Sequence, residues 1–171
     1  MADVFSTKKR SEVMSRIRSR GNKDTEVALA KLFRRHRIGG WRRHVKIQVT
    51  SGKWQVTRKN KKHTSPRPQR GEGARRGRNH QLAVRPDFVF RTSRTAVFVD
   101  GCFWHGCPRN GTQPKGNRSF WKKKFATNIA RDRLVTRTLR RTGWKVLRIW
   151  EHELARKNEA RLLNRIHRAL D

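Results

Sequence analysis

The sequence predicts an α/β fold in which helices flank a small mixed sheet. Three observations carry this expectation. Residues 85–108, RPDFVFRTSRTAVFVDGCFWHGCP, contain two short Val- and Phe-rich segments around a polar RTSR turn, the pattern of a strand pair. Residues 144–150, WKVLRIW, form a further apolar run of central-strand character. Apolar residues at helical spacing surround both: Leu29, Leu32 and Phe33 ahead of the pair, Trp121, Phe125 and Ile129 after it, and Leu162, Leu163, Ile166 and Leu170 at the end. Helix, strand, strand, helix, strand, helix is an order that packs in layers around one sheet. The 171 residues are enough for a single domain, 1–171, with a core of its own.

Taken in order, residues 1–20 are polar and basic, with Val13, Met14 and Ile17 the only spaced apolar group after Phe5. A short helix or an extended arm fits them, and basic arms track phosphates. Asn22 or Asp24 can cap the first long helix and Glu26 suits its first turn, so it is expected to run to about His36. Residues 46–83 hold eleven Lys or Arg, one acid and few large apolar side chains. They read as a basic insert, disordered unless bound to nucleic acid, with KWQV a short strand near its start. A passive linker fits the same composition.

In the hairpin, alternation puts Asp87 and Val89 on one face of the first strand, with Phe88 and Phe90 on the other. Val97 and Val99 share a face of the second strand, opposite Phe98 and Asp100, so both faces are apolar and the sheet is expected to be covered. Gly101 ends that strand. Asn117 can cap a long helix that Gly143 closes, and the last helix is expected to begin near Leu154.

Charge limits the partners. Lys plus Arg number 45 against 12 Asp plus Glu, a net charge of +33. Such a surplus repels itself and calls for a polyanion, with nucleic acid first. A solvated basic face without a partner and a ribosomal-type binder are the rivals. No apolar run reaches the length of a membrane span and the first residues lack a signal-peptide core, so a cytoplasmic protein is expected. Two cysteines five positions apart then favour a metal or free thiols over a disulfide. Against this scarcity of acids, Asp87 and Asp100 fall near strand ends beside Cys102, Phe103, Trp104, His105 and Cys107. Carboxylates beside such a loop suit metal chemistry on a phosphate. Plainer roles exist for each: a dipole partner for Glu26, a structural histidine for His105, buried thiols for the cysteines, and core packing for Trp121.

GCFWHGCP, WKVLRIWEHEL and RPDFVF together resemble the very-short-patch-repair mismatch endonucleases. The resemblance runs from about Ser11 to Leu163, interrupted by 46–83. It implies a restriction-endonuclease-like fold and a Mg²⁺-dependent enzyme that nicks double-stranded DNA 5′ to the T of a T·G mismatch left by 5-methylcytosine deamination. It also implies a structural Zn²⁺, and a functional pairing with a cytosine-C5 methyltransferase; a monomer suffices for a single nick. By this resemblance Asp87 is the catalytic aspartate and Mg²⁺ ligand, and Val99 lends its backbone carbonyl to the same ion. His105 is the general base, and Glu26 is an acid near the site. Asp100 stands where the best-studied pattern has histidine, so it either adds a metal carboxylate or removes a cationic helper. Cys102, Cys107 and His152 match zinc ligands. The fourth ligand is missing from Pro108-Arg109-Asn110, where relatives commonly have a Cys or His. Phe103, Trp104 and Trp121 match residues that wedge into DNA beside the mismatch. A non-catalytic zinc-stabilised DNA-binding module and a related nuclease with another DNA substrate are the alternatives.

Overall fold

The computed structural model describes residues 23–50, 53–57, 82–111, 114 and 116–171. The arm at 1–20 and positions 58–81 of the expected insert lie outside the described residues.

A π-helical turn, Lys23–Val27, leads into α1, Ala28–Arg35. The helix stops where expected, but with Arg37 rather than glycine in the left-handed conformation (φ +55°). Arg37 N–H bonds the Arg34 carbonyl and Ile38 N–H the Phe33 carbonyl, a paired closure that brings the apolar Ile38 back onto Phe33. The strands follow as β1 (Trp41–Arg43), β2 (Lys46–Thr50), β3 (Lys53–Thr57), β4 (Leu82–Val84), β5 (Phe88–Phe90) and β6 (Thr95–Asp100). Then come α2 (Arg118–Arg141), β7 (Lys145–Trp150), two short 3-10 turns and α3 (Glu159–Leu170).

The principal sheet has the order β1-β5-β6-β7. The first three strands are antiparallel neighbours, and β7 runs parallel to β6, with Asp100 opposite Trp150. A parallel neighbour needs a crossover, and α2 supplies it. Gly143, at φ +80°, closes α2, as the sequence indicates: Gly143 N–H bonds Arg140 and Trp144 N–H bonds Leu139.

Alternation in β5 sorts its side chains into two cores, which confirms the covered sheet. Phe88, Phe90, Val97 and Ile149 pack with Leu29, Leu32 and Phe33 of α1 and with Leu162 and Ile166 of α3. On the opposite face Val89 and Ala96 meet Leu139 and Trp144. Thr95 is fully buried at the start of β6, and its hydroxyl donates to the Ala169 carbonyl at 2.9 Å, which satisfies it and ties the sheet to the end of α3.

Three expectations need correction. Residues 46–83 are not an insert throughout, because β2, β3 and β4 form a second, antiparallel sheet of order β3-β2-β4. Ile47, Val49 and Val84 are at most 5 % exposed and join the second core, and so few apolar side chains vanish in the average of a basic stretch. The expected KWQV strand falls inside β3. Asn117 adopts a left-handed conformation before α2 and makes no side-chain cap. The last helix begins at Glu159 rather than near Leu154, which sits in the 3-10 turn Glu151–Leu154.

Phe33 joins α1 to the sheet through edge-on contacts with Phe88 (5.2 Å between centroids) and Phe90 (5.5 Å). Phe33→Ala is expected to cost about 3–5 kcal/mol of stability, the range for emptying a buried phenylalanine site. Urea denaturation checks it; a loss below about 1 kcal/mol would mean the two layers do not depend on this ring.

Candidate active site

The sheet geometry brings five expected residues to one place. Glu26, Asp87, Val99, Asp100 and His105 line a single cavity of about 620 Å³, which also takes in Trp104. Asp87 occupies a bend just before β5, and its Oδ2 accepts the Val99 amide at 2.7 Å, which fixes the carboxylate against the edge of β6. Burial pushes the Asp87 carboxyl up to about 6. The Val99 hydrogen bond works against this, and the negative charges of Glu26 and Asp100 work with it. Glu26 is 5 % exposed in the π-helical turn and accepts from Arg43 at 2.5 Å, with His44 Nε2 at 3.1 Å. Ligand atoms of Glu26, His44 and Asp87 lie within 4.8 Å of one another, a set that can hold a cation.

Beside this set lies a charge network. His105 Nδ1 is 2.5 Å from Asp132 Oδ2 and 3.6 Å from Asp100. Arg148, from β7, donates Nε and Nη2 to the two oxygens of Asp100 at 2.6 and 2.5 Å. The same Nη2 lies 3.2 Å from Asp132. For Asp132 burial favours the neutral acid, but the His105 hydrogen bond and the Arg148 charge hold the carboxyl below its usual range. Burial likewise disfavours the Arg148 cation, yet Asp100 and then Asp132 keep its pKa above the ordinary value. An ionised Asp132 makes Nδ1–H the donor, leaving the Nε2 lone pair of His105 to accept a proton. Both oxygens of Asp100 accept from Arg148, so it is that cation's counter-ion. Its carboxylate also lies within 4.8 Å of the ligand atoms of His105 and Asp132, a second set that can hold a cation.

Cys102, Cys107 and His152 converge on the other side of the loop. His152 Nδ1 lies 3.2 Å from the Cys102 sulfur and 3.5 Å from the Cys107 sulfur. Burial raises the Cys102 thiol above its usual pKa. The Asn110 amide donates to the Cys107 sulfur at 3.4 Å, so the segment Pro108-Arg109-Asn110, which offers no fourth Cys or His, contributes a backbone donor to this thiol. The turn there requires Gly111: a β-carbon would stand 2.4 Å from the Cys107 carbonyl oxygen.

The expected wedge residues also gather. Phe103 meets Trp104 at 5.1 Å and Trp121 at 5.2 Å, and Phe125 completes the cluster. Trp121 is buried, Phe103 and Trp104 are half-buried, and the neighbouring Phe120 is 52 % exposed.

His44, Asp132 and Arg148 escaped the sequence reading. Asp132 is the only acid in α2, and the scarcity that marked Asp87 and Asp100 marks it equally. Arg148 is a cation within an apolar strand, which is also a legible signal. His44 carries none, since it depends on a left-handed backbone (φ +54°) that turns β1 toward Asp87.

A mixed sheet with helices on both faces and an acid-lined cavity at the ends of its strands places the chain in the restriction-endonuclease-like class of α/β domains. The sequence profile of the DNA mismatch endonuclease Vsr matches residues 67–110. The chain is 46 % identical over 86 residues to the type II nicking enzyme V.NaeI of Lentzea aerocolonigenes, covering 50 % of this chain and 52 % of that one. It is 39 % identical over 84 residues to the DNA mismatch endonuclease Vsr of Escherichia coli K12, covering 47 % and 53 %. These alignments thus span about half the length of each relative. With the type II nicking enzyme V.NmeAIP of Neisseria meningitidis serogroup A it shares 32 % identity over 169 residues, 98 % of this chain and 94 % of the relative. The chain belongs to the Vsr family.

The raised Asp87 has a consequence for stability. The folded protein binds this proton more tightly than the unfolded chain, whose carboxyl titrates near 3.8. Without metal, its contribution is therefore fully present below about pH 4 and lost as the pH rises through about 6. Asp87→Asn is expected to be more stable than the parent by roughly 3 kcal/mol at about pH 7.5 in EDTA, with the gap closing near pH 4. Urea denaturation at the two pH values measures it, and a gap independent of pH would sink the assignment.

Proposed function

We propose that this protein is a Mg²⁺-dependent DNA endonuclease that nicks 5′ to the T of a T·G mismatch, in very short patch repair of deaminated 5-methylcytosine. The observation that carries this reading is the convergence of Asp87, Glu26, Val99 and the His105–Asp132 pair on one cavity. The relatives named above, nicking and mismatch endonucleases, support it.

The residues fit a hard divalent cation. A carboxylate held at about 6 by burial and by neighbouring negative charge gains its ionised form when a cation arrives. Asp87 and the Val99 carbonyl would hold Mg²⁺, with Glu26 and His44 adjoining. When bound, the ion supplies Lewis-acid stabilisation of the crowded phosphoryl oxygens. The chain's own residues do the rest. His105 takes the proton of the attacking water at Nε2, while Asp132 holds its Nδ1–H and stabilises the imidazolium that forms. Arg148 keeps Asp100 and Asp132 from repelling one another. Phe103, Trp104 and Trp121 form the wedge. Unstacking costs a few kcal/mol and costs least at a mismatched pair, so the wedge itself discriminates. Cys102, Cys107 and His152 would hold Zn²⁺, which would fasten the loop to the turn after β7. The protein acts as a monomer in the cytoplasm, on DNA that a cytosine-C5 methyltransferase modifies. Among the described residues no helix is long and apolar enough to cross a membrane.

Strand-specific nicking of a labelled T·G duplex tests the reading. Wild type is expected to cut the T strand with Mg²⁺ and not with EDTA, and Asp87→Ala to lose about 10³-fold in rate, about 4 kcal/mol of barrier. Equal cutting of a matched duplex would replace the substrate. Binding without a nick in any divalent metal would leave a non-catalytic DNA-binding protein.

Elemental analysis of the dialysed protein is expected to find about one zinc per chain, falling to near zero in Cys107→Ser. Full zinc retention in that variant would show that the thiol is not a ligand.

A further inference from the structure

The charge network of the candidate active site has a second side. Asp100, His105, Asp132 and Arg148 line not only the carboxylate cavity but also a neighbouring one of about 650 Å³. Ile129, Thr136 and Trp150 contribute to its wall, and its rim is Arg133, Arg137, Arg140 and Arg141. All four rim arginines are exposed on the C-terminal half of α2. Their spacing, i, i+4, i+7 and i+8, puts them on one stripe of the helix. None forms an ion pair with an acidic side chain among the described residues. The two acids in the same lining are already engaged: Arg148 pairs with both, and Asp132 also accepts the Nδ1–H of His105. An approaching anion therefore meets four unopposed guanidinium groups.

From the structure we infer that this stripe is a second DNA-contacting surface, which holds the backbone of the cleaved strand as it leaves the catalytic cavity. Its position rests on the nuclease reading given above; its chemistry does not. Three features select a polyphosphate over a small anion. The stripe extends about 12 Å at about 1.5 Å per residue. A DNA strand presents a phosphate about every 3.4 Å along the helix axis, so about three fit that length. Guanidinium groups suit phosphate geometry, and a row on an open rim matches a chain of charges rather than one. The two cavities adjoin across the shared Asp100, His105, Asp132 and Arg148, so a strand with one phosphate near Asp87 and His105 can carry its neighbours along the rim.

The test is DNA binding by fluorescence anisotropy across a salt series in EDTA, where no cutting occurs. The variants are Arg133, Arg137, Arg140 and Arg141 all changed to Gln, and a charge-matched control with Arg156, Lys157, Arg161 and Arg168 changed to Gln. All eight positions are exposed, and circular dichroism verifies folding. The stripe variant is expected to show a log–log salt slope shallower by about 3 and an affinity at least about ten-fold weaker at ~0.15 M salt. The control is expected to keep most of both. An unchanged slope in the stripe variant overturns the inference, as does an equal loss in the control, which would mean a diffuse effect of net charge. Because the assay does not read cleavage, loss of slope in a protein that nicks nothing would sink the nuclease reading and leave this surface standing.

Discussion

Arg148 is the cation that allows two carboxylates and a histidine to share the interior beside β6. It reaches from β7 to both oxygens of Asp100 on the neighbouring strand and to Asp132 on α2. Buried like charges at such range repel strongly, and removing one partner of a buried pair leaves the other uncompensated. The network therefore depends on the β6–β7 register, which sets Phe98 opposite Arg148 and Asp100 opposite Trp150. It depends equally on the closure of α2 at Gly143, since that turn returns the chain as the parallel strand. Site chemistry and sheet topology are thus the same constraint: a slip of one residue in β7 would turn Arg148 to the other face.

The molecule reconciles two opposed electrostatic needs. Its surplus of +33 favours a polyanion at long range, whereas the cavity concentrates Glu26, Asp87, Asp100 and Asp132. Partial neutralisation by Arg43 and Arg148 lessens the repulsion that an approaching phosphate would meet. Asp87 is the exception. Held mainly by an amide, it is the carboxylate whose ionisation is most improved by a cation.

Legibility followed how local each signal was. The β5–β6 hairpin, α1, α2 and β7 announce themselves through periodicity and the Gly143 stop, and the structure agrees within a few residues. β1 and the second sheet do not. Trp41–Arg43 is only three residues long, and Ile47, Val49 and Val84 are isolated apolar side chains among basic ones. They are strands because a partner exists across the sheet, which no local window contains. The same contrast holds in the site. The hairpin and its loop supplied Asp87, Asp100, His105 and both cysteines, whereas His44, Asp132 and Arg148 come from three other elements and matter only once packed. The environment of Asp100 was likewise closed to the sequence, because its partner lies on another strand.

The seven residues Gly101–Cys107 serve three structures at once. Cys102 and Cys107 face His152, Phe103 and Trp104 face the aromatic cluster on α2, and His105 faces Asp132. The loop is closed by its own backbone, with His105 N–H on Gly101 and Cys107 N–H on Cys102, and Asn128 clamps the Trp104 carbonyl. Adding or deleting one residue would misdirect every side chain beyond the change, whatever its identity. Divergence among relatives can therefore exchange side chains in this segment but not alter its length, and drift in length must be accommodated elsewhere in the chain.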